Sequence, residues 1–260
     1  MTQPLHYANA RALIVGGTSG VGMATARRLG QAGCRHIAIV GRNAERGRSA
    51  AEQLQSALPD AVIAFISANA NDPAEADRVV GEAEAAIGPI DILVNSTSTG
   101  YLPDLFFRTA PQTIAGLLAE LTHAPIYMSR AVIDGMRARG RGVIINLASD
   151  AAKVPTPGET IVGAAMAAIV MFSRTLALEA KRDGIRVHAL TPSLIAGTPT
   201  AENVTRGGFS AKLFESAAAQ AHLGVAEPDD IASTICFLVG PEAARMTGQV
   251  ISINGGISVA

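Results

Sequence analysis

Short apolar runs alternate along the chain with longer, alanine-rich stretches in which apolar residues recur with a helical period. Each short run holds about four to six residues and is apolar nearly throughout. Strands that are buried on both faces of a parallel sheet have this pattern, because neither face needs polar side chains. Seven strands are predicted, at residues 12–15, 36–40, 62–66, 90–94, 142–147, 185–190 and 250–253.

The longer stretches between these runs predict crossover helices. Pro73, Pro111 and Pro228 each stand at a helix start, where proline is tolerated because the first turn needs no backbone donor. Asp72 is placed to cap the helix that follows it, and Gly140 to end the helix before it. The predicted helices are residues 22–32, 44–57, 73–87, 111–138, 158–181 and 228–239.

This order of elements predicts an α/β fold: a single-domain, doubly wound Rossmann fold, with a seven-stranded parallel sheet and helices on both faces. Residues 1–260 are assigned to one domain, because neither a Gly/Ser-rich or Pro-rich linker nor an internal repeat interrupts the alternation. The alternation breaks at residues 193–209, which are rich in Gly, Thr and Pro. We expect a flexible substrate flap over residues 193–222, above the carboxyl ends of the strands.

Charge and composition exclude several classes of function. A net charge of −1 offers no electrostatic attraction to nucleic acid or to anionic membranes, and 4% aromatic content argues against stacking on bases. Apolar runs such as residues 161–172 are too short for a membrane span, and residues 1–17 lack a signal-peptide pattern. Cys34 and Cys236 lie far apart and predict free thiols, with no disulfide or metal site. These features favour a cytoplasmic protein.

A glycine-rich loop follows the first predicted strand and opens the first predicted helix. Residues 15–22 read VGGTSGVG. Glycines at such a place permit a tight turn, close approach of a pyrophosphate to backbone N–H groups, and close packing of helix on strand. Many strand-to-helix turns are glycine-rich for steric reasons alone. The strand–loop–helix context makes dinucleotide binding the stronger interpretation.

This loop and several later segments resemble the landmarks of the short-chain dehydrogenase/reductase family. The loop has the spacing of the family's TGxxxGxG motif, with Val15 in the threonine position. The resemblance then extends nearly to the end of the chain. It is carried by DILVN at 91–95 (fourth strand), IINLAS at 144–149 (fifth strand), TLALE at 175–179 (the next helix), and TGQ at 247–249 with NGG at 254–256 (last strand).

The resemblance implies a catalytic group in which a tyrosine exchanges the proton and a nearby lysine lowers the pKa of that tyrosine. A serine binds the substrate oxygen and an asparagine completes a proton relay. Ser149 stands in the serine position, but Val162 and Met166 occupy the tyrosine and lysine positions, and Glu120 the asparagine position. The chain contains no Tyr-x-x-x-Lys sequence. We therefore expect a degenerate reactive centre, in which Ser149 is either a catalytic remnant or a strand-end serine.

The resemblance also implies which residues would hold a dinucleotide. Arg42 stands where the family often binds a 2′-phosphate, and no acidic residue marks NAD there, so NADP is favoured over NAD. The alternative is an exposed arginine that helps to start a helix. Side chains at 96–98 and at Ser193 crowd the nicotinamide end, so loss of cofactor binding stays open. The implied cofactor-binding residues are Gly16, Thr18, Ser19, Gly20, Val21, Gly22, Arg42, Asn69, Asn95 and Ile195.

Other ionisable residues near the expected cleft are given modest roles. Tyr101 follows the fourth strand and is expected to line a pocket wall, although it could reach the cleft. Asp150 and Lys153 follow Ser149 closely and could supply protons, but we expect them to be surface charges of a loop.

Two functions remain open. The favoured hypothesis is a non-catalytic or regulatory subunit of an oligomeric, possibly mixed, dehydrogenase. The alternative is an NAD(P)-dependent alcohol/ketone oxidoreductase, acting on an unknown small molecule or acyl thioester with a non-standard proton donor. The helix at 158–181 has little polar surface, so with 111–138 it predicts the interface of a homo-oligomer, such as a tetramer, or of a hetero-oligomer with an active relative. Neither nucleic acid nor a membrane is an expected partner.

Overall fold

Seven parallel strands form one sheet in the computed structural model, which describes residues 5–260. Residues 1–4, part of the segment in which no signal peptide is predicted, lie outside that description. Each strand lies within two residues of its predicted bounds at either end. The strands are β1 (Arg11–Val15), β2 (His36–Gly41), β3 (Val62–Ser67), β4 (Ile92–Asn95), β5 (Gly142–Leu147), β6 (Ile185–Pro192) and β7 (Val250–Ile253).

The strands lie side by side in the order β3-β2-β1-β4-β5-β6-β7, which confirms the predicted seven-stranded, doubly wound sheet. The order reverses at β1, whose neighbours are β2 on one side and β4 on the other. Val15 at the end of β1 is in register with Val40 and with Asn95, so the three strands end nearly level. Open α/β sheets bind ligands outside the carboxyl ends of their strands at such a reversal.

Eight α-helices occur within residues 5–260, two more than the pattern predicts. The additional pair fills the segment expected to be a flap. Thr198 caps the first of the pair by accepting a hydrogen bond from the backbone N–H of Ala201, and Pro199 occupies its first turn. The helices are α1 (Gly20–Gln31), α2 (Ala44–Ala57), α3 (Pro73–Ile87), α4 (Pro111–Arg139), α5 (Thr160–Ala180), α6 (Pro199–Val204), α7 (Gly208–Gln220) and α8 (Pro228–Val239).

Local signals at the predicted helix ends match the structure. Asp72 accepts a hydrogen bond from the backbone N–H of Ala74 and so caps α3. Gly140 ends α4 in the left-handed conformation, with φ +65°, that favours glycine. The segment over residues 193–222 is largely helical, and whether it moves stays a prediction.

Two layers of core lie on opposite faces of the sheet. Ala12 and Ile14 of β1 pack in the layer that contains the buried residues of α1, α2 and α8. Leu13 and Val15 of the same strand pack in the layer of α3, α4 and α5. Successive side chains of a strand point to opposite faces, so an unbroken apolar run serves both layers.

Helix α5 leaves much of its apolar surface outside these layers. Met171 is 60% exposed and Leu178 is 63% exposed. By length and composition alone, Thr160–Asp183 is apolar enough to cross a membrane. Of its most apolar stretch of 18 residues, 33% is buried. That test is also passed by core helices of proteins that cross no membrane, and α5 is the crossover helix that connects β5 to β6.

Candidate active site and cofactor cleft

A cleft of about 940 Å³ lies above the carboxyl ends of the strands around the reversal point. Its walls come from the glycine loop after β1, the end of β2, the segments after β3 and β4, and the turn after β5. Helices α6 and α7 close one side. Segments that are distant in sequence meet here because parallel strands all end at the same edge of the sheet.

The glycine loop forms one wall of this cleft. Gly16 has φ +80°, and a Cβ atom there would lie 2.6 Å from the carbonyl oxygen of Ser96. Ser19 precedes α1 but makes no side-chain capping bond, so the side chain leaves the first N–H groups of the helix free for an anion. Of the predicted loop residues, the cleft is lined by Gly16, Thr18, Ser19, Gly20 and Val21.

Gly22 has a different role from the rest of the loop. It does not belong to the cleft wall. A Cβ atom there would overlap the carbonyl oxygen of Gly16 and crowd the hydroxyl of Ser96. Gly22 therefore keeps α1 close to the ends of β1 and β4, which holds the loop in shape.

The residues predicted to contact the adenosine end, Arg42 and Asn69, both line the cleft. Arg42 is exposed, and its Nη1 lies 3.7 Å from Oε1 of Glu120. Helix α2 is capped by Asn43, which accepts from the backbone N–H of Arg46, so the alternative role of Arg42 in starting the helix is not needed.

Glu120, which stands in the family's asparagine position, contacts two other side chains. Its Oε2 accepts a hydrogen bond of 2.9 Å from the hydroxyl of Thr99, and its other oxygen pairs with Arg42. Glu120 does not belong to the cleft wall that contains Ser149. The side chain therefore joins the loop after β4 and the end of β2 to α4.

Asn95 is buried in the sheet, and its side chain does not line the cleft. Its Nδ2 donates to Oδ1 of Asn146 at 2.8 Å, and Nδ2 of Asn146 donates to the hydroxyl of Ser173 at 2.9 Å. This chain of hydrogen bonds joins β4, β5 and α5. Asn95 thus aligns the strands beneath the cleft, whereas Ile195 lines the cleft itself.

Ser149 lies at the reaction end of the cleft with Val162 and Met166. Its hydroxyl oxygen accepts from the backbone N–H of Ala151 at 3.2 Å, so the hydroxyl proton is free to be donated. Val162 and Met166 pack with Leu117 of α4 in a small apolar cluster. The structure therefore brings together three of the four predicted catalytic positions, and two of those carry side chains that cannot move a proton.

Glu159, which the motif comparison overlooks, lines the same cleft. It is partly buried, and burial raises the pKa of its carboxyl to about 7. Within residues 5–260 the carboxylate has no hydrogen-bonding or ion-pair partner. A sequence signal existed, because Glu159 is the acid that stands three residues before Val162, one helical turn away.

Asp150 and Lys153 are not the surface charges that were expected. Asp150 is buried, and it accepts hydrogen bonds of 3.0 Å from Ser252 and 2.7 Å from Asn254. Lys153 lies 3.8 Å from Asp150 and donates to the backbone oxygen of Ala260 at 2.6 Å. The two charges therefore hold residues 252–260 against the turn after Ser149, because the carboxylate and the ammonium satisfy polar groups that would otherwise be buried alone.

The residues of the cleft fit a dinucleotide. Gly20 and Val21, at the start of α1, line the cleft, and no side chain caps the first N–H groups of this helix, which suits a pyrophosphate. The absence of a Cβ at Gly16 lets the loop pass against the backbone of Ser96. At the other end, Thr97, Ser98 and Ser193 line the same cleft as Ser149. No cluster of three or more His, Cys, Asp or Glu suited to a metal occurs within residues 5–260.

Comparison with known proteins places this geometry in a family. A family model described as enoyl-(acyl carrier protein) reductase matches residues 15–258. A galactitol 2-dehydrogenase (L-tagatose-forming) from Cereibacter sphaeroides is 31% identical over 251 residues, covering 95% of this chain and 94% of that protein.

Solved structures agree over the whole length. L-Sorbose reductase from Gluconobacter frateurii, solved with NADPH and L-sorbose, has a TM-score of 0.85 and 32% identity, covering 97% of this chain and 98% of that one. An NADPH-bound short chain oxidoreductase from Pseudomonas aeruginosa PAO1, described as containing an atypical catalytic center, has a TM-score of 0.85 and 26% identity, covering 99% and 100%. The chain belongs to the short-chain dehydrogenase/reductase family of oxidoreductases.

Proposed function

We propose that this protein is an NAD(P)-dependent oxidoreductase that interconverts an alcohol and a carbonyl group on a small molecule, without the family's Tyr-x-x-x-Lys pair. The observation that carries the proposal is the continuous cleft, which joins the glycine loop and the start of α1 to Ser149. A non-catalytic subunit would have no need to keep the two ends connected.

The relatives support this function over that of a non-catalytic subunit. The galactitol dehydrogenase and the sorbose reductase are named as enzymes that act on polyols or ketoses. The Pseudomonas protein is described as binding NADPH beside an atypical catalytic centre. A changed catalytic group is therefore compatible with a retained cofactor site in this family, and our alternative hypothesis from the sequence becomes the preferred one.

Three parts of the cleft would hold the cofactor. The backbone N–H groups at Gly20 and Val21, at the start of α1, would bind the pyrophosphate. Arg42 would bind a 2′-phosphate and Asn69 the adenine, so NADP is preferred. When bound, the reduced nicotinamide supplies a hydride.

Ser149 would orient the substrate. Because its oxygen accepts from Ala151, its own proton is not used in that bond and can be donated to a carbonyl oxygen. Val162 and Met166 exclude water from the same wall, which strengthens a hydrogen bond made there. The substrate class that the galactitol dehydrogenase and the sorbose reductase suggest is a polyol or ketose. The description of the matching family model suggests an acyl thioester as the second class.

The test is a titration with NADPH and NADH followed by turnover. Nicotinamide fluorescence should saturate, with tighter binding of NADPH, and a panel of ketoses and 3-oxoacyl thioesters should contain at least one compound that is reduced. Ser149→Ala should lower kcat by roughly 10²-fold while binding of NADPH is unchanged. Absence of binding at millimolar cofactor would contradict the proposal and favour a non-catalytic subunit.

We propose further that the protein is an oligomer, a homo-oligomer such as a tetramer or a hetero-oligomer with an active relative, built on α4 and α5. The supporting observation is the exposed apolar face of α5 at Met171 and Leu178. Sedimentation of the wild type against Met171→Glu/Leu178→Glu tests this. A monomeric wild type would contradict the proposed oligomer.

A cytoplasmic location and the lack of nucleic-acid and membrane partners remain predictions.

A further inference from the structure

The reaction end of the cleft has a serine but lacks the acid that its family uses. Reduction of a carbonyl adds a hydride to carbon and a proton to oxygen, so a proton donor must reach that oxygen. Ser149 can orient the oxygen by a hydrogen bond. If its hydroxyl gave up the proton, a neighbouring acid would have to supply another one. The apolar side chains of Val162 and Met166 exclude their two positions from this role.

Glu159 lies in the turn that leads into α5 and lines the same cleft as Ser149. It directly precedes α5, and its carbonyl oxygen accepts from the backbone N–H of Gly163 at 2.6 Å, which fixes its main chain in the first helical turn. A residue three positions before Val162 lies on nearly the same face of the helix. Its side chain makes no capping bond and instead lines the cleft.

The surroundings of Glu159 are apolar. Gly158 has φ +89°, and a Cβ there would overlap the ring of Phe209, so α7 packs directly over this turn. Pro157 and Phe214 line the adjoining wall. Burial without a nearby cation disfavours the carboxylate, and it raises the pKa of Glu159 to about 7. The carboxyl is thus substantially protonated at neutral pH.

The other ionisable groups of the cleft are less suited. Asp150 is fully engaged with Ser252 and Asn254, and Glu202 is exposed on α6. Tyr101 is the remaining rival, on the loop after β4. The ionisable residues that line the cleft besides Glu159 are Arg42, Arg46, Tyr101, Asp150, Glu202 and Arg206.

We propose that Glu159 is the proton donor of this protein, replacing the family's tyrosine in carbonyl reduction. The inference rests on the proposed function. In this step the O–H bond of the Glu159 carboxyl breaks and the alcohol O–H bond forms, while a bound reduced nicotinamide would supply the hydride to the carbonyl carbon and would itself be oxidised. The Glu159 carboxylate then regains a proton from water, and in alcohol oxidation it accepts the proton instead.

The kinetic test compares variants of the full-length protein with the reduced substrate found above. Glu159→Gln should lower kcat by 10²- to 10⁴-fold with the Kd for NADPH unchanged, because only proton delivery is lost. In the wild type, kcat for reduction should fall as pH rises through about 7, and the shorter acid in Glu159→Asp should restore part of the rate. Glu179→Gln, an exposed acid on the same helix outside the cleft, is the matched control.

A second readout does not depend on turnover. With ¹³C-labelled glutamate, the carboxyl signal that disappears in Glu159→Gln should titrate near pH 7 in the protein alone. A midpoint for Glu159 in the ordinary range of a glutamate would overturn the inference.

The outcomes separate the two proposals. An active wild type with an equally active Glu159→Gln overturns the role of Glu159 and leaves the oxidoreductase intact. A loss of activity in Tyr101→Phe, with full activity in Glu159→Gln, would assign proton donation to Tyr101 and overturn the role of Glu159. A protein that binds NADPH but reduces no member of the panel overturns both proposals.

Discussion

The guanidinium of Arg42, at the end of β2, lies 3.7 Å from the carboxylate of Glu120 on α4. Both side chains are solvent-accessible, with 63% and 34% exposed, so the pair contributes little to stability. A 2′-phosphate carries more charge than a carboxylate and offers Arg42 several acceptor oxygens. We therefore expect NADPH to draw Arg42 away from Glu120.

Replacement of Arg42 should discriminate between the two cofactors. Arg42→Ala should weaken NADPH binding about tenfold or more, which corresponds to about 1.4 kcal/mol, and leave NADH binding nearly unchanged. Glu120→Gln should tighten NADPH binding, because the competing carboxylate is lost. Fluorescence titration measures both, with Arg130→Ala, an exposed arginine paired with Asp134, as control. Equal weakening of NADH and NADPH would contradict the assignment of Arg42 to the 2′-phosphate.

Gly22 should be intolerant of any side chain. A Cβ there overlaps the oxygen of Gly16, so Gly22→Ala should destabilise the fold by about 1–3 kcal/mol and distort the cofactor loop. Gly81 lies in the exposed middle of α3 with nothing near its Cβ position, so Gly81→Ala should stabilise by about 0.5–1 kcal/mol. Urea unfolding of both variants checks the contrast. Similar effects at the two glycines would show that the loop does not depend on close packing.

The sheet could be predicted from the sequence because its strands are short and apolar on both faces, as residues 12–15 are. A helix with its own start signal separates most of these strands from the next one. Helix α7 could not be predicted, because it begins at the second residue of the pair Gly207 and Gly208, and two consecutive glycines usually mark a loop. Its place is set by the contact of Phe209 with Gly158, and such tertiary packing leaves no local pattern.

The candidate site was predictable only in part for the same reason. Ser149 and the glycine loop lie in motifs that follow strands, so their place at the cleft follows from topology. The ion pair of Glu120 with Arg42 and the burial of Asp150 beneath residues 252–260 join segments far apart in the chain. Side-chain pairing of that kind depends on rotamers and packing, which spacing does not encode.

Replacement of Asp91 should lower the unfolding free energy more than replacement of any exposed charged residue. Asp91 is buried before β4, accepts 3.0 Å and 3.2 Å hydrogen bonds from Nε of Arg141 and the backbone N–H of Arg11, and lies 3.9 Å from Nε of Arg139. Removing its charge takes the carboxylate away from Arg11 and Arg141, and leaves Arg139 with Glu84 at 4.0 Å. Asp91→Asn should therefore cost on the order of 3 kcal/mol of unfolding free energy.

The control for Asp91 is Asp134, which is 63% exposed and paired with Arg130. Asp134→Asn should change the unfolding free energy by less than about 1 kcal/mol. Chemical denaturation at pH 7 measures both variants. If Asp91→Asn proved as mild as the control, the arginines would have to be solvated in the folded state, and the cluster would not hold the strands together.

Stability should fall in mild acid because of His188. The side chain is fully buried on β6, with Nε2 3.3 Å from Nη1 of Arg186, and burial, together with that cation, lowers its pKa from 6.5 to about 4. In the unfolded chain His188 binds a proton below about pH 6.5, whereas in the folded chain it stays neutral until the pH falls to about 4. The stability that neutral His188 contributes is therefore present above pH 6.5 and is lost as the pH falls toward 4, to the extent of about 3 kcal/mol.

Comparison with His188→Gln isolates this loss from the titration of the carboxylates. The wild type should lose about 3 kcal/mol more than His188→Gln between pH 7 and pH 4, measured by urea unfolding at each pH. Glu159 acts in the opposite direction, because its raised pKa lowers the unfolding free energy as the pH rises through about 7. The wild type and His188→Gln both contain Glu159, so its effect cancels in the comparison. Parallel pH profiles for the wild type and His188→Gln would mean that His188 gains its proton in the folded state as readily as in the unfolded chain.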